Sequence, residues 1–453
     1  MSRKSDRPNI LFIMDDQHRF DYLGCAGLDS VNTPNIDRLA SRGVRFTNCF
    51  TNSPICVPAR IGLASGLQPS RIGAVDNWCS LPSNIPTFYQ RFRDHGYRVG
   101  CVGKLDLNKP DPYNGKNGDR ADAFKWGFTH PEECEGKMHA ARSLTPQGPY
   151  SYYLQEHGLL EPFNKDYMSR FKIGHQQSVL NHHDSVLPTE HFADIYIGRR
   201  TAEWIEKVPD DYPWFNFVSF VGPHDPFDPP TEYAEKYREK DVPSAVKDSM
   251  QGKPEWVKNR QITDDPEIIA STRRQYCAAI EVIDDQIGMI LDALERRNMV
   301  DNTYIIFTSD HGEMLGDHGL YQKSVGYEPA LHVPLIISGP DIPEGEVSDA
   351  LIELIDLNPT VCELAGLPAQ ENIDAKSFGS ILRKESLNHR SDIVSAERNF
   401  RVLRTNRYKY IENYNDISEL YDLKEDPLEL KNLGEVQPEL VRKFALRIRQ
   451  RFL

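Results

Sequence analysis

The sequence predicts an α/β fold: a large, mostly parallel sheet sandwiched by helices, followed by a smaller antiparallel sheet in a C-terminal subdomain. Short runs of apolar, β-branched and aromatic residues alternate with helical patterns as far as residue 338. After about residue 366 the pattern changes to short strands separated by turn residues. A length of 453 residues also exceeds what one core normally supports. We therefore predict a main domain at 1–366 and an α+β subdomain at 367–453.

Local patterns justify the individual elements. Strands are predicted at 10–14, 98–102, 214–221, 304–308 and 334–338. A helix is predicted at 273–297, where apolar residues fall three or four apart, and others at 35–42 and 189–207. Residues 105–188 are rich in Gly, Pro, Asn, His and Tyr and show little periodicity, which predicts long loops over one face of the sheet. Short strands at 401–404 and 408–412 predict the antiparallel sheet.

Composition excludes several classes of protein. Lys and Arg total 53 against 67 Asp and Glu, a formal charge of −14, so nucleic acid and anionic membranes are poor partners. No apolar run approaches the length of a signal or membrane segment, and we expect a soluble, cytoplasmic protein. The eight cysteines form no CxxC pairs, which argues against a zinc knuckle or a disulfide framework.

Charged residues follow four of the predicted strands. They are Asp15 and Asp16, Lys104, His224 with Asp225, and Asp310 with His311. Ligands of open α/β sheets bind outside the carboxyl ends of the strands, so these side chains should converge at one edge. Three carboxylates and one imidazole predict a site for a hard divalent cation, Ca²⁺ or Mg²⁺, with Mn²⁺ also plausible.

A helix with a cysteine at its start is the second chemical feature. Pro58 suits the first turn of a helix and Gly66 its end, which places Cys56 at the positive N-terminal pole. Arg60 lies four residues on, on the same face. The pattern predicts a nucleophile beside an anion site.

These residues resemble the type I sulfatases of the alkaline-phosphatase-like superfamily. The segment Cys56-Val57-Pro58-Ala59-Arg60 resembles the C-x-P-x-R signature whose cysteine is oxidised to formylglycine. The resemblance covers nearly the whole chain. Further similar blocks surround Asp15-Asp16, the stretch 32–40, Ser309-Asp310-His311-Gly312-Glu313, Lys323 with Tyr327-Glu328, and Glu419-Leu420-Tyr421-Asp422-Leu423.

The resemblance implies an alkaline-phosphatase-like fold and a role for each site residue. Asp15, Asp16, Asp310 and His311 would bind the metal, usually Ca²⁺, together with an oxygen of modified Cys56. Arg60 would hold the formylglycine, and Lys104, His224 and Lys323 would contact the sulfate. The hydrated aldehyde would attack sulfur, and its second hydroxyl would then expel the sulfate. A formylglycine-generating enzyme is the implied maturation partner.

Two positions depart from the usual sulfatase pattern. Asp106 stands where many sulfatases have a histidine, the candidate base for sulfate release, and would serve as that base or contact the substrate. His311 stands where many have an amide, as in choline sulfatases and phosphonate monoester hydrolases.

The leading hypothesis is therefore a sulfatase that cleaves a small sulfate monoester. A phosphonate or phosphate ester hydrolase with the same site is the first alternative, and a catalytically silent protein that binds sulfated ligands is the second. A sugar, aryl or choline sulfate remains open as the substrate, and the oligomeric state is not predicted. We interpret His175, His182, His183 and His191 as solvated or hydrogen-bonded residues, whereas the position of His318 in a loop after His311 leaves open whether it approaches the site.

Overall fold

A large sheet forms the centre of the main domain in the computed structural model, which describes residues 7–113, 115–173 and 177–452. Its strands in the described chain are β1 (Asn9–Asp16), β2 (Gly43–Phe50), β3 (Arg98–Gly103), β4 (His130–Glu133), β5 (Trp214–Pro223), β6 (Thr303–Ser309), β7 (His332–Ser338), β8 (Glu346–Ser348) and β9 (Ile352–Glu353). The spatial order is β4-β3-β5-β1-β6-β7-β2-β8, with β9 also paired to β2. The predicted mostly parallel sheet is thus confirmed. β7 is an exception, because it runs antiparallel to both β6 and β2.

Helices cover both faces of this sheet. The longer ones are α1 (Pro34–Ser41), α2 (Cys56–Ser65), α3 (Phe88–Asp94), α6 (Pro149–Glu156), α7 (Leu160–Arg170), α8 (Ala193–Lys207), α9 (Thr231–Tyr237), α11 (Pro266–Arg296), α13 (Leu357–Leu364) and α15 (Pro438–Arg451). Shorter ones are α4 (Ala121–Lys125), α5 (Lys137–Ala141), α10 (Glu255–Lys258), α12 (Glu328–Leu331) and α14 (Gly379–Leu382).

Alternation along the central strand β1 divides the core into two layers. Phe12 packs with residues of α2, α3 and α13 on one face. Leu11 and Ile13 pack with α1, α8 and α11 on the other. Every residue of β1 is buried, as expected for a strand covered on both sides.

The expectation of long loops over residues 105–188 was wrong in part. This stretch contains α4 to α7 and the edge strand β4, which pairs with β3. The helices α4 and α5 have five residues each, too few for a 3.6-residue period to show in the sequence. Tertiary packing rather than local pattern therefore decides the structure of this stretch.

The C-terminal antiparallel sheet is confirmed. Its strands pair in the order β10 (Ile393–Glu397), β11 (Phe400–Arg404), β12 (Tyr408–Asn413) and β13 (Glu419–Asp422). Helix α15 packs on β11 and β12 through Phe444 and Ile448. The boundary between residues 366 and 367 stays a prediction. Among the described helices, none combines the length and apolar character needed to cross a bilayer.

Candidate active site

The predicted site residues meet at one edge of the large sheet. Strands β3, β5, β1 and β6 are neighbours and run parallel, so their carboxyl ends lie side by side. The side chains that these ends contribute are Asp15 and Asp16 from β1, Lys104 after β3, His224 after β5, and Asp310 with His311 after β6. Cys56, Arg60 and Lys323 reach the same edge from α2 and from the loop after residue 319.

Four of these side chains form a compact group that could hold a metal ion. One ligand atom each from Asp16, Cys56, Asp310 and His311 lies within 4.8 Å of the others, and all four residues are buried. Cys56 Sγ is 3.2 Å from His311 Nε2 and 3.7 Å from Asp16 Oδ1. Carboxylate oxygens with one imidazole suit Ca²⁺, Mg²⁺ or Mn²⁺.

Asp15, the remaining predicted metal ligand, lies outside that group of four. Its Oδ2 is 2.6 Å from His18 Nδ1, while its buried Oδ1 has no hydrogen-bond partner in the described chain. Burial raises the pKa of Asp15, and the nearby Asp310 and Asp16 raise it further against the opposing effect of His18. Asp15 therefore has one oxygen without a hydrogen-bond partner, and its negative charge is disfavoured by burial and by the neighbouring carboxylates.

Cys56 is the first residue of α2, as the sequence predicts. Gly66 ends the helix in the left-handed conformation with φ of 72°. No side chain of Ile55 caps the helix start; instead Asn77 Oδ1 accepts a hydrogen bond from Val57 N at 3.0 Å. Burial and Asp16 oppose ionisation of the thiol, but Lys104, Lys323 and His311 hold the pKa of Cys56 well below its usual value. The helix start thus presents an electron-rich sulfur to cationic groups.

Arg60 connects the ends of the four strands. Its Nε donates to Asp310 Oδ2 at 2.7 Å, and one terminal nitrogen donates to Lys104 O at 2.7 Å and to Ser219 Oγ at 2.8 Å. The other terminal nitrogen lies 3.4 Å from Asp16 Oδ2. Arg60 is buried, and its contacts fix the carboxylates around Cys56 rather than leaving them to repel one another.

Lys104, His224 and Lys323 supply the cationic side of the site. Lys104 pairs with Asp16, and Lys323 contacts both Gln17 Oε1 and His224 Nε2. His224 Nδ1 lies 2.6 Å from the carbonyl oxygen of Asp225, so it must donate there, which leaves Nε2 to accept from Lys323. Burial lowers the pKa of Lys323, yet the opposing effects of Cys56, Asp225 and Asp16 raise it overall.

Asp106 binds cations of this site. It is buried with φ of 52°, and its Oδ2 accepts from Lys104 Nζ at 3.1 Å and Lys109 Nζ at 3.0 Å. Burial opposes ionisation, but Lys104 and Lys109 hold the pKa of Asp106 far below its ordinary value. The carboxylate is thus ionised at neutral pH.

Gln17 is a site residue that the sequence analysis missed, and Asp225 is one to which it gave no role. Gln17 N donates to Asp310 Oδ1 at 3.1 Å, and its side-chain amide contacts Lys323, Glu313 and Asp225. Its position directly after Asp15 and Asp16 was the available signal. Asp225, which the sequence analysis places at this edge of the sheet without a role, accepts hydrogen bonds from the amides of Gln17 and Gln322.

The histidines set aside as structural do have ordinary partners. The contacts are His182 with Ser271, His183 with Arg170 and His191 with Tyr153. His318 pairs with Asp248 at 2.7 Å and stacks on Tyr327, outside the group around Cys56. His175 lies outside the described residues.

Comparison with known proteins identifies the family. The family model described as Sulfatase matches residues 8–367, and the model described as N-sulphoglucosamine sulphohydrolase, C-terminal, matches residues 316–451. An uncharacterized sulfatase YidJ of Escherichia coli is 30% identical over 94% of this chain and 83% of its own length. A choline-sulfatase of Rhizobium meliloti is 29% identical over 95% of this chain and 84% of its own length.

Solved structures include a close match in fold. The phosphonate monoester hydrolase of Agrobacterium radiobacter superposes with a TM-score of 0.83 at 25% identity, covering 99% of this chain and 96% of that one. Together with the family model, which spans most of the sequence, these relatives show that the chain belongs to the type I sulfatase family and is a sulfuric ester hydrolase.

Proposed function

We propose that the protein hydrolyses a small sulfate monoester to an alcohol and inorganic sulfate, with a hydrated formylglycine derived from Cys56 as the nucleophile. The observation that carries this proposal is the position of Cys56. Its sulfur lies at the start of α2, between the carboxylates of the candidate metal group and the ammonium groups of Lys104 and Lys323. A nucleophile at that position faces both a cation site and an anion site.

The described residues fit one divalent metal, and we propose Ca²⁺ for it. Asp16, Asp310, His311 and the oxygen of modified residue 56 would hold the ion, with the unpartnered Oδ1 of Asp15 as a further oxygen donor. When bound, such a cation lowers the pKa of a hydroxyl and withdraws charge from a sulfate oxygen. Mg²⁺ and Mn²⁺ are the alternatives.

The remaining steps belong to side chains of this chain. Lys104 and Lys323 would bind the sulfate oxygens and stabilise the charge that develops on them. His224 would protonate the leaving oxygen from its imidazolium form, in which Nε2 carries a proton instead of accepting a hydrogen bond from Lys323. Arg60 keeps Asp16 and Asp310 in place beside residue 56. The depressed pKa of Asp106 favours a role in positioning Lys104 over a role as the base that releases sulfate.

A phosphonate or phosphate ester hydrolase is the second candidate, because a phosphonate monoester hydrolase matches this fold closely. The choice between the two depends on the relative kcat/KM for aryl sulfates and aryl phosphonates. A silent binding protein is less well supported, since the described chain places a nucleophile, an acid candidate and cationic groups together.

Mass spectrometry of the tryptic peptide 46–60 tests the nucleophile. The peptide contains Cys49 and Cys56, so Cys49 serves as an internal control. We expect protein made with a formylglycine-generating enzyme to carry the aldehyde at residue 56 only, and to hydrolyse an aryl sulfate. The variant Cys56→Ala should be inactive, whereas Cys49→Ala should not. A full thiol at Cys56 in protein that still turns over sulfate esters would rule out this mechanism.

A further inference from the structure

A cavity of about 200 Å³ shares Lys104, His224 and Lys323 with the site, and its lining holds more cationic than anionic side chains. Lys104, His224 and Lys323 form its inner wall, so a substrate held there by its sulfate would place its leaving alcohol in the cavity. Among the described residues that line the cavity, Asp225 is the only carboxylate, whereas five are lysine or arginine. Both oxygens of Asp225 already accept hydrogen bonds from side-chain amides.

The cations of this cavity are not fully neutralised by their neighbours. Lys109 and Lys104 share one oxygen of Asp106, at 3.0 and 3.1 Å. Arg142 is exposed and donates through Nε to Tyr167 at 3.3 Å, with no carboxylate in ion-pairing distance among the described residues. Lys137, by contrast, is balanced by Asp228 at 2.8 Å. Arg142 is therefore the cation without a carboxylate partner among the described residues, while Lys109 shares Asp106 with Lys104, which also pairs with Asp16.

Trp78 adds an apolar surface to the same cavity. Its side chain lines the cavity and is 72% exposed. An exposed indole in a concave site commonly packs against a planar or cyclic ligand group. The ring and the two cations would thus contact different parts of one leaving group.

We propose that the preferred substrate carries a second anionic group on its leaving alcohol, a sulfate or a carboxylate, which Lys109 and Arg142 bind beside Trp78. The inference rests on the proposed function, because it assumes that Lys104, His224 and Lys323 hold the sulfate ester. It also separates this chain from the choline-sulfatase relative, since a quaternary ammonium group would face Lys109 and Arg142 and be repelled.

A matched set of phenyl sulfates tests the proposal. The ring carries a para carboxylate, its methyl ester or a trimethylammonium group, and each rate is corrected for the intrinsic leaving ability of the phenol. We expect kcat/KM to be about tenfold higher for the carboxylate than for the ester, and lower again for the cation. The preference should shrink in 0.5 M salt, a concentration at which such interactions are screened. Equal corrected rates, or a preference for the cation, would overturn the proposal.

Single substitutions locate the effect. Arg142→Gln and Lys109→Gln should each reduce the preference for carboxylate over ester by about three- to tenfold. Arg296→Gln removes a surface charge from the end of α11 and should leave the preference as in the wild type. An unchanged preference in both cavity variants would place the second anion elsewhere and overturn the assignment.

One further comparison completes the test. Comparing 1,4-phenylene disulfate with 4-carboxyphenyl sulfate shows which anion the cavity prefers, and the one with the higher kcat/KM identifies the substrate class. If protein with verified formylglycine hydrolyses no member of the series, the proposed hydrolysis fails. If it hydrolyses all of them without discrimination by charge, only this inference fails.

Discussion

Asp106 is one of two positions at which the sequence departs from the common sulfatase pattern, and its contacts indicate whether it can act as the base in place of the histidine. A carboxylate held between Lys104 and Lys109 is a poor proton acceptor, because those lysines keep its pKa far below neutrality against the effect of burial. It is well suited to hold Lys104 in the direction of a bound sulfate. Sulfate release in this enzyme would then need a different base. His224, which lines the same cavity as Lys104 and Lys323, is the candidate.

The variant Asp106→Asn separates these two roles. Loss of the charge should leave Lys104 paired with Asp16 only, so we expect kcat/KM to fall about tenfold, mainly through a higher KM. Steady-state kinetics on an aryl sulfate measure the split. The control is Asp111→Asn, which changes an exposed carboxylate of the same loop. A kcat lowered a hundredfold at constant KM, with sulfated enzyme accumulating, would instead identify Asp106 as the base.

The chemistry-bearing residues were predictable where they follow a buried strand or begin a helix. Asp16, Asp310 and Cys56 lie where the apolar runs and the Pro58 to Gly66 pattern placed them. Gln17 was not recognised, since its role depends on a left-handed backbone with φ of 72° and on partners nearly three hundred residues away. Neither property leaves a local pattern in the sequence.

At the scale of elements, the end of β3 depends on one glycine. Gly103 has φ of +106°, and a Cβ there would lie 2.0 Å from the carbonyl oxygen of Ser219 in β5. The same carbonyl accepts a hydrogen bond from Lys104 N at 3.1 Å. The close approach of β3 and β5 thus sets the direction in which Lys104 leaves the sheet.

Gly103→Ala should therefore lower the free energy of unfolding by more than the backbone strain alone would. We expect it to lower the free energy of unfolding by at least about 3 kcal/mol and to reduce sulfate hydrolysis, because the strand ends must separate. Gly158→Ala is the matched control, since Gly158 has φ of +71° but open space around a Cβ, and should cost about 1 kcal/mol. Equal losses in urea denaturation would refute the packing argument.

The start of β7 carries a titratable group with a predictable effect on stability. His332 lies between the rings of Phe20 and Phe50, at 3.7 and 4.4 Å between centroids, and burial lowers its pKa to about 4. The unfolded chain takes up this proton near pH 6.5. Between these values the unfolded state binds more protons, so the stabilisation is complete above about pH 6.5 and is lost as pH falls toward 4.

Replacing this histidine should flatten the pH dependence. From pH 7 to 4 we expect the wild type to lose roughly 3 kcal/mol more unfolding free energy than His332→Gln. Urea denaturation at a series of pH values provides the measurement. His95→Gln, at an exposed site, should keep the wild-type slope. If wild type and His332→Gln show the same pH dependence, the imidazole takes up its proton in the folded state as readily as in the unfolded chain.

At the scale of the whole molecule, the C-terminal sheet closes onto the large sheet through buried charges. Lys409 in β12 is fully buried and pairs with Glu429 and with Glu328, the latter at 3.1 Å. Glu328 begins α12, five residues after Lys323, and also pairs with Arg404 of β11. The loop that carries Lys323 to the site is thus attached to the C-terminal sheet.

This attachment predicts that the C-terminal sheet and the active site lose structure together. Lys409→Met leaves Glu429 buried without its cation, so we expect the unfolding free energy to fall by about 3 to 5 kcal/mol. Activity and intrinsic fluorescence should then be lost in one transition at lower urea. Lys431→Met, which removes an exposed lysine of the same subdomain, should behave as wild type. Because Lys323 and Glu328 share one short segment, activity that survives after the C-terminal sheet has unfolded would show that the large sheet alone positions Lys323.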